Sequence, residues 1–190
     1  MVQQRTRRQM LVGVAGSLAL AGCVGGDSDG GTDSGETGAS DGDATANSDE
    51  SWQAVALEDV RSGEEFTIAD IEQPVVLHTF ATWCSTCKRQ QDTLANAYEN
   101  SGDDVTFIDI TIDENDNPAD LREHANDNEF GWRFAVAPNQ MTSDLVDNYG
   151  QRVAIAPQSP VIVVCPDGTT KTLDKGVSAG KIEDTATSCQ

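Results

Sequence analysis

The chain has 190 residues, enough for one domain of ordinary size plus tails, and sets 32 acidic residues against 12 Lys and Arg for a formal net charge of −20. That balance excludes nucleic acid and anionic membrane surfaces as electrostatic partners, because like charges repel. The acids run the whole length of the chain and lysine occurs only four times; this is the surface expected of a protein kept in concentrated salt, where screening removes most of the self-repulsion, with a merely acidic protein as the alternative.

Residues 1–22 place Arg7 and Arg8 ahead of an apolar or small run from Leu11 to Ala21, and Leu20-Ala21-Gly22-Cys23 follows at once. A charged start, a short apolar stretch and a small-residue cleavage site make the order of an export signal. The run is shorter than the about 20 residues that a bilayer span requires. The segment resembles a twin-arginine export signal joined to a lipobox, with Met10 where that pattern often has Phe. The resemblance implies a lipidated Cys23 as first mature residue and a protein held on the extracytoplasmic face of the cell membrane; an uncleaved N-terminal anchor is the alternative. Residues 23–50 continue with that cysteine and a stretch of Gly, Asp, Ser, Thr, Ala and Glu, in which Val24 is the only large apolar side chain. It cannot bury enough surface to offset chain entropy, and it is expected to be a disordered acidic tether.

The domain is expected over residues 51–190. An N-terminal hairpin is predicted between Trp52 and Ile71, with Ala54–Leu57 and Phe66–Ile68 as strands around the turn Arg61–Glu64. Gln73-Pro74 breaks the chain before Val75–Phe80, whose apolar run suits a strand buried on both faces. A helix is predicted from about Thr86 to Glu99, then a strand over Val105–Ile112, an acidic turn at Asp113–Asn117, and a helix from Pro118 to about Asn126. A short strand over Phe130–Val136 and a helix capped by Thr142 or Ser143 and ended by Gly150 follow. Val161–Cys165 and Thr169–Leu173 read as a hairpin around Pro166-Asp167-Gly168, and Ser178 caps a last helix to about Ser188. The order gives an α/β fold, a central mixed β-sheet flanked by helices.

The chemistry concentrates at Cys84-Ser85-Thr86-Cys87, where a buried strand hands two thiols to a helix start. The unpaired N–H groups there favour the thiolate of Cys84, the expected nucleophile, and Cys87, one turn on, is the expected resolving thiol. A zinc site would need a second cysteine pair of close spacing, which Cys165 and Cys189 do not make. Haem attachment would need His in place of Lys88. No metal and no cofactor are expected. Cys165 and Cys189 end a strand and a helix; they are read as a structural disulfide, with two free thiols or a second redox relay as the alternatives.

Phe80-Ala81-Thr82-Trp83-Cys84-Ser85-Thr86-Cys87 resembles the active-site stretch of thioredoxin-fold proteins. With the N-terminal hairpin and the lipoprotein start, residues 52–188 look like the TlpA/ResA branch of extracytoplasmic thiol–disulfide oxidoreductases. The resemblance implies a thioredoxin-like fold, exchange of disulfides with protein thiols through Cys84 and Cys87, and a membrane redox partner; a monomer is expected. It also implies a cis-proline opposite the dithiol, for which Pro160 is the candidate and Pro157 the weaker one, and a contact surface shaped by Trp83. His78 stands where these proteins carry a buried Asp or Asn, and is either a proton relay for Cys87 or a hydrogen-bonded core histidine. Gln90 replaces the carboxylate of ResA-like members. Thr111–Pro118 is also similar to the strand–turn–helix of Sco-like copper proteins, which implies a copper-binding chaperone built on Cys84, Cys87 and a histidine as the alternative function.

Overall fold

Five stretches rich in Val, Ile, Phe and Thr pair into one sheet, and all but the last, Thr170–Leu173, present an apolar side chain to both faces. The computed structural model describes residues 51–189; the expected signal of residues 1–22, Cys23 and the expected tether of residues 23–50 lie outside the described residues. Within them the strands are β1 (Leu57–Glu58), β2 (Glu65–Phe66), β3 (Val75–Phe80), β4 (Thr106–Thr111), β5 (Arg133–Val136), β6 (Val161–Val164) and β7 (Thr170–Leu173). The helices are α1 (Ser85–Ser101), α2 (Pro118–Asp127), α3 (Asn139–Tyr149) and α4 (Ala179–Thr187). The sheet order is β5-β4-β3-β6-β7, with β3, β4 and β5 parallel and β6 and β7 antiparallel to their neighbours. This is the thioredoxin-like fold, a mixed sheet between helices.

Period-two alternation sorts the strand residues into two cores. Val76, Phe80, Phe107, Phe134, Val161 and Val163 face a layer holding Leu94 and Ala97 of α1, Leu121 and Ala125 of α2, and Ile182 and Ala186 of α4. Val75, Leu77, Ile108, Ile110, Ile162 and Val164 face Met141 and Leu145 of α3 together with Trp52, Leu57 and Ile68 of the N-terminal segment. The face of α1 matters for the site. His78 of β3 has the parity of Val76 and Phe80, Asp109 of β4 has that of Phe107, and the register sets His78 opposite both Asp109 and Val161.

Two elements differ from expectation. The N-terminal hairpin shrinks to the two-residue strands β1 and β2, and Trp52–Ala54 winds into a 3₁₀ turn capped by Ser51. Burying Trp52 against the α3 side decides it, since an extended chain would spend that indole on one strand face. Helix α3 starts three residues before Thr142, at Asn139 after Pro138. Met141 is buried in the first turn, and Thr142 and Ser143 donate their hydroxyls to the carbonyls of Pro138 and Asn139 from inside the helix rather than capping it. Elsewhere the caps agree with the residue types: Asn117 accepts from the Ala119 and Asp120 N–H groups with Pro118 at the first helical position, and Ser178 accepts from Lys181. Gly102 and Gly150 follow α1 and α3 at positive φ, where a side chain would be strained.

Candidate active site around the Cys84–Cys87 pair

Strand β3 ends at Phe80, and α1 begins at Ser85 after four intervening residues, so Cys84 falls at the helix N-cap. Its sulfur accepts the Cys87 backbone N–H at 3.1 Å, the position an Asp or Ser cap oxygen ordinarily fills. Cys84 and Cys87 are disulfide-bonded. Cys84 is 3% exposed and Cys87 0%, so Cys84 is the less buried of the pair. Once the bond is broken, the same N–H groups and helix dipole stabilise a thiolate on Cys84.

The loop that delivers Cys84 is clamped by the acidic turn. Asp116 accepts the Thr82 backbone N–H at 3.0 Å, the Thr82 hydroxyl and, at 2.6 Å, the Thr111 hydroxyl. Asp113 accepts the Trp83 indole N–H. That bond first, and then the Asn115 N–H groups, hold the Asp113 carboxyl below the usual carboxylate range. The stretch with the Sco-like look thus braces the cysteine loop. Trp83 is 65% exposed and stands beside Cys84 in the chain. On the far side, the Ala156 carbonyl oxygen lies 3.1 Å from Cys87 Sγ, and Ile155 next to it is 42% exposed. Pro160 is buried directly ahead of β6, four residues after Ala156.

Beneath the disulfide is a buried polar chain that sequence reading reached only at His78. His78 is fully buried, and its Nδ1–H donates to Asp109 Oδ1 at 2.8 Å. Asp109 Oδ2 accepts from Gln91 Nε2 at 2.9 Å and from Trp132 Nε1 at 3.1 Å. Gln91 Oε1 in turn takes the His124 Nε2–H at 2.9 Å. With Nδ1 carrying the proton, His78 Nε2 is an acceptor. It receives a bond of 2.8 Å from the ammonium of Lys175, in the connection between β7 and α4. Lys175 Nζ also sits 3.4 Å from Cys87 Sγ, 3.2 Å from the Ala156 carbonyl oxygen and 3.1 Å from Ser159 Oγ. Burial lowers its pKa to about 8, with Asp109 pulling the other way. Gln90 does not face the sulfurs as an acid would. It accepts the Gly176 N–H at 2.7 Å and reaches the Val177 carbonyl, fastening the loop that carries Lys175.

Desolvation lowers the pKa of His78, outweighing the Asp109 carboxylate, and burial likewise lowers that of His124. The unfolded chain therefore takes up these protons first as pH falls. Stability is expected to be full above 6.5, the ordinary histidine value, and to fall below it by up to about 1.4 kcal/mol per pH unit for each imidazole. Lys175 is protonated in both states over that range and adds nothing there. Urea midpoints measured from pH 7.5 to pH 5 check this; His78→Gln should flatten the acid limb.

Cys165 and Cys189 are also disulfide-bonded, joining the residue after β6 to the second residue past α4 across 24 positions. A loop of that length contributes about 3 kcal/mol by chain entropy. Among the described residues no three His, Cys, Asp or Glu side chains come together as metal ligands, and both ring nitrogens of His78 are already hydrogen-bonded. No helix among them is long and apolar enough to cross a membrane.

Residues 49–171 match the model of the AhpC/TSA family. No curated protein matches the chain. Among solved structures, the chain is similar to a thiol:disulfide interchange protein of the thioredoxin family from Chlorobium tepidum, at 14% identity and a TM-score of 0.60 over 71% of this chain and 92% of that one. A secreted Mycobacterium tuberculosis disulfide oxidoreductase homologous to E. coli DsbE matches at 17% identity and a TM-score of 0.54, over 74% and 99%. BsSco, a member of the Sco family of cytochrome c oxidase assembly proteins, matches at 17% identity and a TM-score of 0.58, over 71% and 90%. At these identities the likeness is one of fold.

Proposed function

Because the chain belongs to the AhpC/TSA family, we propose that it is a thiol–disulfide oxidoreductase that exchanges disulfides with partner proteins through Cys84 and Cys87. The observation that carries this reading is a disulfide whose first sulfur caps a helix and whose second sits over a buried proton-carrying chain. A partner thiolate attacks Cys84 Sγ, the Cys84–Cys87 bond breaks, and Cys87 leaves as a thiolate that takes a proton. The partner's second thiolate then attacks its own sulfur in the mixed disulfide, closing the partner disulfide and releasing the Cys84 thiolate. Run backwards, the same two steps reduce a partner disulfide. The direction follows the potential of the redox partner that resets the pair.

Trp83 and Ile155 flank the disulfide as exposed apolar side chains, a surface suited to an extended protein segment. In this reading Pro160 shapes that groove, the Cys165–Cys189 bridge pins α4, and the protein works as a TlpA/ResA-type monomer, tethered by lipidated Cys23 outside the cell membrane of a salt-adapted cell. The copper alternative is disfavoured because both histidines are engaged with Asp109, Lys175 and Gln91. Mixing the oxidised full chain with a reduced dithiol peptide in salt tests the function. Stoichiometric peptide oxidation with reduction of Cys84–Cys87 is expected; an inert pair defeats the reading.

A further inference from the structure

We propose that Lys175 is the proton carrier of Cys87: it protonates the Cys87 thiolate when the disulfide opens and removes that proton when the disulfide closes, while His78 and Asp109 hold its amine in place. The inference deepens the function proposed above and rests on it. It assigns the role to a residue outside the Cys-x-x-Cys motif, and it places His78 one step back from the sulfur.

The geometry carries the argument. No hydrogen bond joins the His78 ring to either sulfur; the Lys175 amine bonds to both sides, 2.8 Å from His78 Nε2 and 3.4 Å from Cys87 Sγ. Ser159 Oγ donates its own proton to the Thr79 carbonyl at 2.5 Å, so toward Lys175 it acts as an acceptor. The ammonium has three N–H groups and four acceptors around it: His78 Nε2, Ser159 Oγ, the Ala156 carbonyl and Cys87 Sγ. The neutral amine keeps two N–H groups for fixed oxygen or nitrogen acceptors and gains one lone pair for a Cys87 S–H. The site therefore accommodates both protonation states of the amine without moving the chain.

The charged and titratable groups facing Lys175 are His78 from β3, Asp109 from β4 and Cys87 from α1. Asp109 is reached through His78, so the amine feels a carboxylate without forming a direct ion pair that would lock it in the protonated state. The depressed pKa of about 8 puts both forms within reach near neutral pH.

In the opening direction a substrate thiolate bonds to Cys84 Sγ, the Cys84–Cys87 bond breaks, and the Lys175 ammonium passes one proton to the departing Cys87 sulfur, leaving a neutral amine. In the closing direction neutral Lys175 takes the Cys87 S–H proton. The thiolate attacks Cys84 Sγ of the mixed disulfide, and the substrate leaves as a thiolate. The lysine then exchanges its proton with solvent.

The test uses the full chain carrying Cys23→Ser, which removes the thiol outside the two pairs, selectively reduced at Cys84–Cys87 and reacted with the chromogenic disulfide DTNB. Attack by Cys84 releases a first thiolate, and closure by Cys87 releases a second. In the unaltered site the second phase should rise with pH, be half-maximal near 8, the pKa of the carrier, and level off about one to two pH units above it. Lys175→Met should leave the first phase within threefold and slow the second by about a hundredfold at pH 7, the scale of a lost general base. Lys175→Arg keeps the cation but cannot give up a proton, and should be as slow as Lys175→Met. Full second-phase rate in Lys175→Arg would mean that charge alone suffices and would overturn the proposal; an unchanged Lys175→Met would do so as well. Should the variants fail to fold, the profile of the unaltered site decides, and a second phase still rising steeply past pH 10 refutes the carrier. Release of only one thiolate by the unaltered site would instead refute the exchange function itself.

Discussion

Cys84→Ser is expected to abolish peptide-dithiol oxidation, lowering the rate by roughly a thousandfold or more, the scale on which loss of a nucleophile is felt. The expectation follows from the asymmetry of the pair. Cys84 Sγ is the helix-capping sulfur, hydrogen-bonded to the Cys87 N–H, and Cys84 is the less buried of the two residues. A thiolate there is stabilised by the helix N-terminus, whereas a serine hydroxyl in the same place only caps the helix. Cys87→Ser should behave differently. Cys84 remains able to attack a disulfide, but nothing resolves the adduct, so a covalent mixed disulfide with the substrate accumulates. Mass spectrometry of the two variants after exposure to a disulfide-containing protein separates these outcomes. Equal adduct formation by both variants would mean that the order of attack is not set by the helix cap.

The second large effect is on stability. Asp109→Leu is expected to cost about 3 kcal/mol or more, because three buried N–H donors lose their common acceptor. The carboxylate is fully buried and takes three N–H groups, from His78, Gln91 and Trp132. Leucine has the same branching but leaves all three donors without acceptors in a dry core, each with a penalty of about 1–3 kcal/mol. The His78 ring would then lose the bond that fixes its proton on Nδ1, and Lys175 its oriented acceptor. Urea unfolding at pH 7.5 measures the loss. A change below about 1 kcal/mol, the worth of one ordinary hydrogen bond, would mean that the network is replaceable by packing alone.

The layout of the sheet was legible because its strands are apolar runs bounded by Pro and Gly, and because the dithiol announces where β3 meets α1. The start of α3 was misplaced since Thr142 and Ser143 have capping side chains, yet burial of Met141 draws the helix back to Asn139. The N-terminal hairpin was overdrawn for a similar reason: tertiary burial of Trp52 overrides the strand pattern of Ala54–Leu57. Of the polar chain beneath the disulfide, only His78 was singled out, by its place before the cysteines. Asp109 carried a signal that could have been read, an acid inside the apolar strand Phe107–Ile110, at a register matching His78. Lys175 carried a fainter one, a rare lysine in an acid-rich chain just after a strand. Its role depends on a loop fastened by Gln90, and no spacing rule reveals a contact between residues 88 positions apart.

The claim that Cys84–Cys87 is the exchanging pair is tested most directly by equilibrating the full chain in salt with graded thiol–disulfide buffers, alkylating the free thiols and locating them by peptide mass. The account predicts that Cys84 and Cys87 titrate together as a two-electron couple between about −270 and −120 mV, the span of thioredoxin-type sites, while Cys165–Cys189 stays bonded throughout. A Cys84–Cys87 bond that does not open across that span, or a Cys165–Cys189 bond that opens first, would contradict it.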